Sequence, residues 1–164
     1  MMWFVVSLTV VVVDQALKYY MSNLLPLCQP GWCESIEVLP VFKFTLLHNT
    51  GAAFSFLDDA GGWQRWLLGG ISALISIVIA VWITRVDRRD WLLSLALALI
   101  LGGAVGNLID RVLLGYVVDF IVVHYREHNF PAFNIADSCI SIGAALLIID
   151  MFWKPYAVSE GANG

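Results

Sequence analysis

Four long apolar runs dictate most of what this chain can become. They cover about residues 1–21, 63–84, 91–109 and 135–153, and consist almost entirely of Val, Ile, Leu, Ala, Phe, Trp and small residues. A hydrocarbon layer about 30 Å thick is crossed by about 20 such residues in a helix. Inside it every backbone N–H and C=O must find a partner within the segment, so each run is expected to be a transmembrane helix. Of the 164 residues, 60% are hydrophobic and 13% charged, with a mean hydropathy of +0.80. Little is left for a separate water-soluble unit. Thirteen acids against nine bases form no basic stripe, which argues against a nucleic-acid partner. The expectation is one membrane domain over residues 1–164, with connections at about 22–62 and 110–134 and a short link at 85–90.

The link sets the orientation. Arg85, Arg88 and Arg89 cluster there, which places it in the cytoplasm by the positive-inside rule. With four spans both termini are then cytoplasmic, and the two longer connections face outward, to the periplasm in a Gram-negative cell. The first run could be taken for a signal peptide, but it lacks a basic start and a small-residue cleavage site and contains Asp14, so it reads as a retained helix. In the first connection Pro26, Pro30, Gly31 and Pro40 break regular structure, and Val38 to Leu47 is rich enough in Val, Phe, Thr and Leu for one or two short strands. Cys28 and Cys33 lie here, where an oxidising compartment would permit a bridge. Cys139, inside a span, reads as packing. The peptide from His48 to Phe54 includes Asn49, Gly51 and two alanines, and suits either a close backbone approach or a turn into an interfacial segment.

Polar residues inside these runs are costly and therefore informative. Asp14 and Lys18 are spaced i, i+4 and can pair, for packing or for function. Gly102 and Gly106 form a G-x-x-x-G that fits close helix contact. Asn107 and Arg111 share the same helix face one turn on, with Asp110 beside them. Asp119 and Asp137 follow apolar residues and bracket a polar insert. At 1.5 Å per residue, Asp14 and Asn107 lie roughly 20 and 24 Å from the cytoplasmic side, so all these groups converge near the outer face. Two close aspartates cannot both ionise cheaply. One can activate a water while the other protonates the substrate carbonyl, which is hydrolysis of the aspartic type. Asp137, near a helix start, is the better candidate for the ionised member.

Three other chemistries compete. The segment from His124 to His128 reads H-x-x-E-H, an inverted zinc-peptidase pattern, but Asn129 and Pro131 argue for a surface loop rather than the helix it needs. A serine–lysine pair could be drawn from Ser55 or Ser138 with Lys43 or Lys18, with no supporting spacing. A proton-coupled transporter could use Asp14, Asp119 and Asp137 as a relay.

Five motifs, in order along nearly the whole chain, resemble the lipoprotein signal peptidase (signal peptidase II) family: Asp14-Gln15 with Lys18; Asn49 to Phe54; Gly102-Gly103 through Asn107 to Asp110-Arg111; Val118-Asp119-Phe120; and Phe133 to Asp137. The resemblance implies a bacterial inner-membrane aspartic endopeptidase with four transmembrane helices and a small extramembrane β-sheet on the periplasmic side. It would cut diacylglyceryl-modified prolipoproteins just before the lipidated cysteine. It further implies Asp119 and Asp137 as the catalytic dyad, and Asp14, Lys18, Asn49, Gly51, Asn107, Asp110, Arg111 and Asn134 as residues that line or brace the site. No metal or other cofactor is implied. The expected partners are the lipidated substrate, membrane lipids and globomycin-type inhibitors, with the segment after Asn49 helping to cover the site. The Cys28–Cys33 stretch and the His124–His128 segment fall outside the recognised pattern.

Overall fold

Each apolar run forms one helix. In a computed structural model, which describes residues 2–51, 63–87, 89–125 and 128–153, these are α1 (Met2–Leu24), α2 (Trp63–Arg85), α3 (Trp91–Leu113) and α4 (Ile135–Trp153). All four are long and apolar enough to cross a membrane. Between them lie strands β1 (Ile36–Leu39), β2 (Phe42–Asn49), β3 (Val117–Tyr125) and the two-residue β4 (His128–Asn129).

The helix α3 is the centre of the bundle. It packs against α1, α2 and α4, and 56% of its apolar window is buried, against 22%, 22% and 17% for the other three. Small residues allow this. A Cβ at Gly102 would stand 2.7 Å from Val10 Cβ, and one at Gly103 would run into the Ala136 carbonyl of α4. The outward faces of α1, α2 and α4 expose Leu8, Val12, Leu74, Ile77, Ile148 and Phe152, as surfaces solvated by lipid do.

The strands form one antiparallel sheet in the order β1-β2-β3-β4. In the β2–β3 ladder Phe44 pairs with Ile121, Leu47 with Asp119 and Asn49 with Val117, with an irregularity between Phe44 and Leu47. Leu46, Val118, Phe120 and Ile121 join Met21 of α1 and Leu25, just past its end, in a buried cluster, which docks the sheet on one end of the bundle. A disulfide joins Cys28 to Cys33 at this end, where the Cys28 N–H also bonds the Leu46 carbonyl.

Several expectations shift. The spans at about 1–21 and 91–109 run on to Leu24 and Leu113. Within the connection expected at about 110–134, Val117 to Tyr125 forms a strand, as its run of β-branched and aromatic residues favours. The expected loop at His124–His128 is in part a hairpin, with His124 and Tyr125 ending β3 and His128 starting β4; Arg126 and Glu127 lie outside the described residues. So do Arg88, residues 52–62 and the tail after Trp153. Asp150, near the far end of α4, is buried.

Candidate active site

Asp119 and Asp137 come from different layers, β3 and the first turn of α4, and meet around Asn134. Asp119 is 2% exposed. Its Oδ1 accepts from Asn134 Nδ2 at 2.7 Å and its Oδ2 from Asn49 Nδ2 at 3.0 Å. Asn134 caps α4, since its Oδ1 accepts the Asp137 N–H at 2.9 Å while Asp137 Oδ2 accepts the Asn134 N–H at 3.3 Å. This is a reciprocal capping box, with an aspartate in the third helical position. Asp137 Oδ1 accepts from Asn107 Nδ2 at 2.7 Å. Asn134 is itself fully buried and also donates to the Val118 carbonyl at 3.2 Å. One side chain thus sets the start of α4 and the position of β3 together.

Behind the pair lies a buried ionic layer. Lys18 Nζ donates to Asp14 Oδ2 at 2.8 Å, Asp110 Oδ2 at 2.9 Å and Asn107 Oδ1 at 3.0 Å. That employs all three ammonium hydrogens. Asp14 Oδ1 accepts the Ala136 N–H at 2.8 Å, a second constraint on the start of α4. Asp110 Oδ2 accepts the Val118 N–H at 3.0 Å, next to Asp119 in the chain. Gln15 Nε2 donates to Asp110 Oδ1 at 2.8 Å. Gly106 lets Asp14 approach, because a Cβ there would stand 2.8 Å from Asp14 Oδ2. Among the described residues Lys18, Asp14 and Asp110 make no hydrogen bond or ion pair with Asp119 or Asp137. They hold Asn107, the N-terminus of α4 and the start of β3.

Gly51 donates its N–H to Asn49 Oδ1 at 3.2 Å, which turns the amide nitrogen of Asn49 toward Asp119. Arg111 bonds the Asn107 carbonyl of its own helix at 3.4 Å, and its guanidinium lies in the field of Asp137, Asp119 and Asp110. His48 stacks on Tyr116, ring centroids 3.8 Å apart, and its burial lowers its pKa, so it adds no charge near neutral pH.

Burial and the neighbouring charge of Asp137 push the Asp119 carboxyl up to about 7, against the pull of the Asn49 and Asn134 hydrogen bonds and the Lys18 charge. Asp119 therefore titrates near neutral pH, and both carboxyl groups accept their hydrogen bonds from N–H donors. Two neighbouring carboxyl groups of which one is protonated have the chemistry to deliver a proton to one atom and remove one from another.

The rival chemistries fit less well. His124 and His128 sit on paired strands, not on the helix that H-x-x-E-H requires. Asp14, proposed in a relay, is locked between Lys18 and the Ala136 N–H. Gln15 lies within the first motif, though outside the site residues expected from it, and joins the network through Asp110. One further contributor carries no signal in the sequence. Arg65 of α2, which bonds the Arg111 and Val112 carbonyls, looked like an ordinary charge at the start of a span.

The sequence profile of the family described as signal peptidase (SPase) II matches residues 6–153. The chain belongs to this family. Signal peptidase II relatives include the lipoprotein signal peptidase of Teredinibacter turnerae, 55% identical over 159 residues, 97% of this chain and 92% of that protein. That of Pseudomonas putida is 53% identical over 152 residues, 92% of this chain and 86% of its own length. A solved structure titled as a bacterial membrane enzyme at 2.3 Å superposes with a TM-score of 0.82 at 31% identity, covering 99% of this chain and 94% of that one. A second, titled at 1.9 Å, gives 0.79 at 32% identity, with 94% of each chain covered. Membership of the signal peptidase II family makes this a multi-pass bacterial membrane protease of lipoprotein signal peptides.

Proposed function

We propose that the protease is of the aspartic type, with Asp119 and Asp137 as its dyad, and that it cuts diacylglyceryl-modified prolipoproteins just before the lipidated cysteine. The observation that carries this reading is the sharing of Asn134 by two carboxyl groups, the buried Asp119 and the half-buried Asp137, the first of which is pushed up to about 7. Asp137, ionised, takes a proton from a water lying between the two. Asp119, neutral, donates its proton to the scissile carbonyl as the water oxygen adds. The tetrahedral gem-diol collapses when the proton gained by Asp137 passes to the leaving amine and one gem-diol hydroxyl returns its proton to Asp119, which breaks the C–N bond and restores the pair. Arg111, whose guanidinium donates to one carbonyl among the described residues, would receive substrate carbonyls where water is scarce.

In the proposed orientation the sheet and the dyad face the periplasm and both termini the cytoplasm. Arg85 and Arg89 flank the α2–α3 turn, at the opposite end of α3 from the sheet, and the Cys28–Cys33 bridge is at the sheet end, where an oxidising compartment would keep it. Globomycin-type cyclic peptides are expected to occupy the same site in place of substrate.

Cleavage of a lipidated precursor by the purified protein tests the dyad. Asp119→Asn and Asp137→Asn are each expected to lower turnover by at least about a thousandfold while the protein still inserts and extracts normally. Wild-type turnover in either variant would refute the assignment, and loss of activity to a chelator, restored by zinc, would refute the aspartic type.

A further inference from the structure

The last turn of α3 leaves the Arg111, Val112 and Leu113 carbonyls beyond the helix's own ladder, since the Leu114 and Gly115 N–H groups both return to Asp110. Two of these carbonyls are taken by a side chain from another helix. Arg65 of α2 donates Nε to the Arg111 carbonyl at 2.7 Å and Nη2 to the Val112 carbonyl at 2.6 Å. The guanidinium also lies 5.0 Å from the Trp66 ring centroid. On its other side is Gly115, whose φ of +92° turns the chain toward β3, and where an added Cβ would stand 3.2 Å from Arg65 Nη1.

We infer that Arg65 is a positioning residue for the proteolytic site: by clamping the end of α3 it fixes both the root of the Arg111 side chain and the turn that delivers Asp119. Two fixed points then hold the short link between helix and strand. Arg65 holds the Arg111 and Val112 backbone, and Asp110 holds the Val118 N–H. Asp119 is the next residue. A fork with two donors at a fixed spacing suits two successive carbonyls in a way that a single ammonium does not. Without it, carbonyls at the membrane boundary would seek other partners and the link would lose one of its two anchors.

This inference rests on the assignment of Asp119 to the dyad, and the test separates the two. Wild type, Asp119→Asn, Arg65→Gln and Arg65→Lys are compared on one lipidated precursor, with kcat, KM and the pH dependence of kcat/KM measured for each, and folding checked by thermal unfolding in detergent. Displacement of reacting groups by even an ångström lowers rates by as much as about a hundredfold. Arg65→Gln is therefore expected to lower kcat by roughly ten- to a hundredfold with KM within about twofold, and to move the alkaline limb of the pH profile. Arg65→Lys, keeping the charge but only a point donor, is expected to recover part of kcat. An inactive Asp119→Asn together with a folded Arg65→Gln of wild-type kcat and pH profile would overturn the positioning role and leave the dyad standing. So would a kcat lowered only in proportion to lost folded protein, with the pH profile unmoved. An active Asp119→Asn would instead remove the dyad on which the inference depends. If Arg65→Gln does not fold, Arg65→Lys alone decides: an unchanged kcat and pH limb would refute the clamp.

Discussion

At the scale of single residues, the proposed chemistry depends on how Asp119 is solvated. Its carboxyl stands at about 7 because burial and the Asp137 charge outweigh the donors around it. The neutral form that donates to the substrate is therefore available below about pH 7 and is lost above it. The value of kcat/KM should fall on an alkaline limb near 7, by about tenfold per pH unit beyond it. Asn49 donates to Asp119 Oδ2 and so favours the ionised form. Removing that donor, in Asn49→Ala, raises the Asp119 pKa further and should carry the alkaline limb to higher pH, with a lower maximum rate. A limb that stays in place or moves to lower pH in Asn49→Ala would contradict this solvation of Asp119.

At the scale of elements, close approach of α3 to its neighbours brings the polar groups together. Gly103 and Gly70 test this as a pair. A methyl group at Gly103 would enter the Ala136 carbonyl, at the start of the helix that carries Asp137, whereas one at Gly70 would meet nothing within 4 Å among the described residues. Gly103→Ala should destabilise the protein by about 1–3 kcal/mol through overpacking and lower activity. Gly70→Ala should leave activity unchanged and raise thermal stability slightly, through helix propensity. Equal effects at both positions would mean that helix spacing does not govern the site. The helices were legible in the sequence because lipid permits few alternatives to a long apolar helix, and the i, i+4 pair of Asp14 and Lys18 could be drawn from helical geometry alone. Strand β3 was not, because Val117 to Val123, apart from Asp119, is apolar on both faces and lacks the alternation that marks a half-buried strand. The partners of Asp110 were also hidden. Sequence spacing put it beside Asn107 and Arg111, while the fold turns it to Lys18, Gln15 and the Val118 N–H, none of which is a neighbour in the chain.

At the scale of the molecule, the sheet caps one end of a four-helix membrane bundle, and its disulfide belongs to the proposed outer face. Alkylation of the denatured, unreduced protein with a maleimide reagent should modify one thiol, Cys139, and after reduction three. Three modified thiols without reductant would remove the bridge and, with it, one support for the orientation. The two aspartates of the proposed dyad also belong to different layers, Asp119 to the sheet and Asp137 to the bundle. Four helices can enter the bilayer one after another while the strands are still unpaired, and at that stage each carboxyl stands alone. A newly inserted chain would then carry no proteolytic activity toward its surroundings. Its competence would switch on only at docking, with the last step of maturation acting as the safety catch that many soluble proteases need a propeptide to provide.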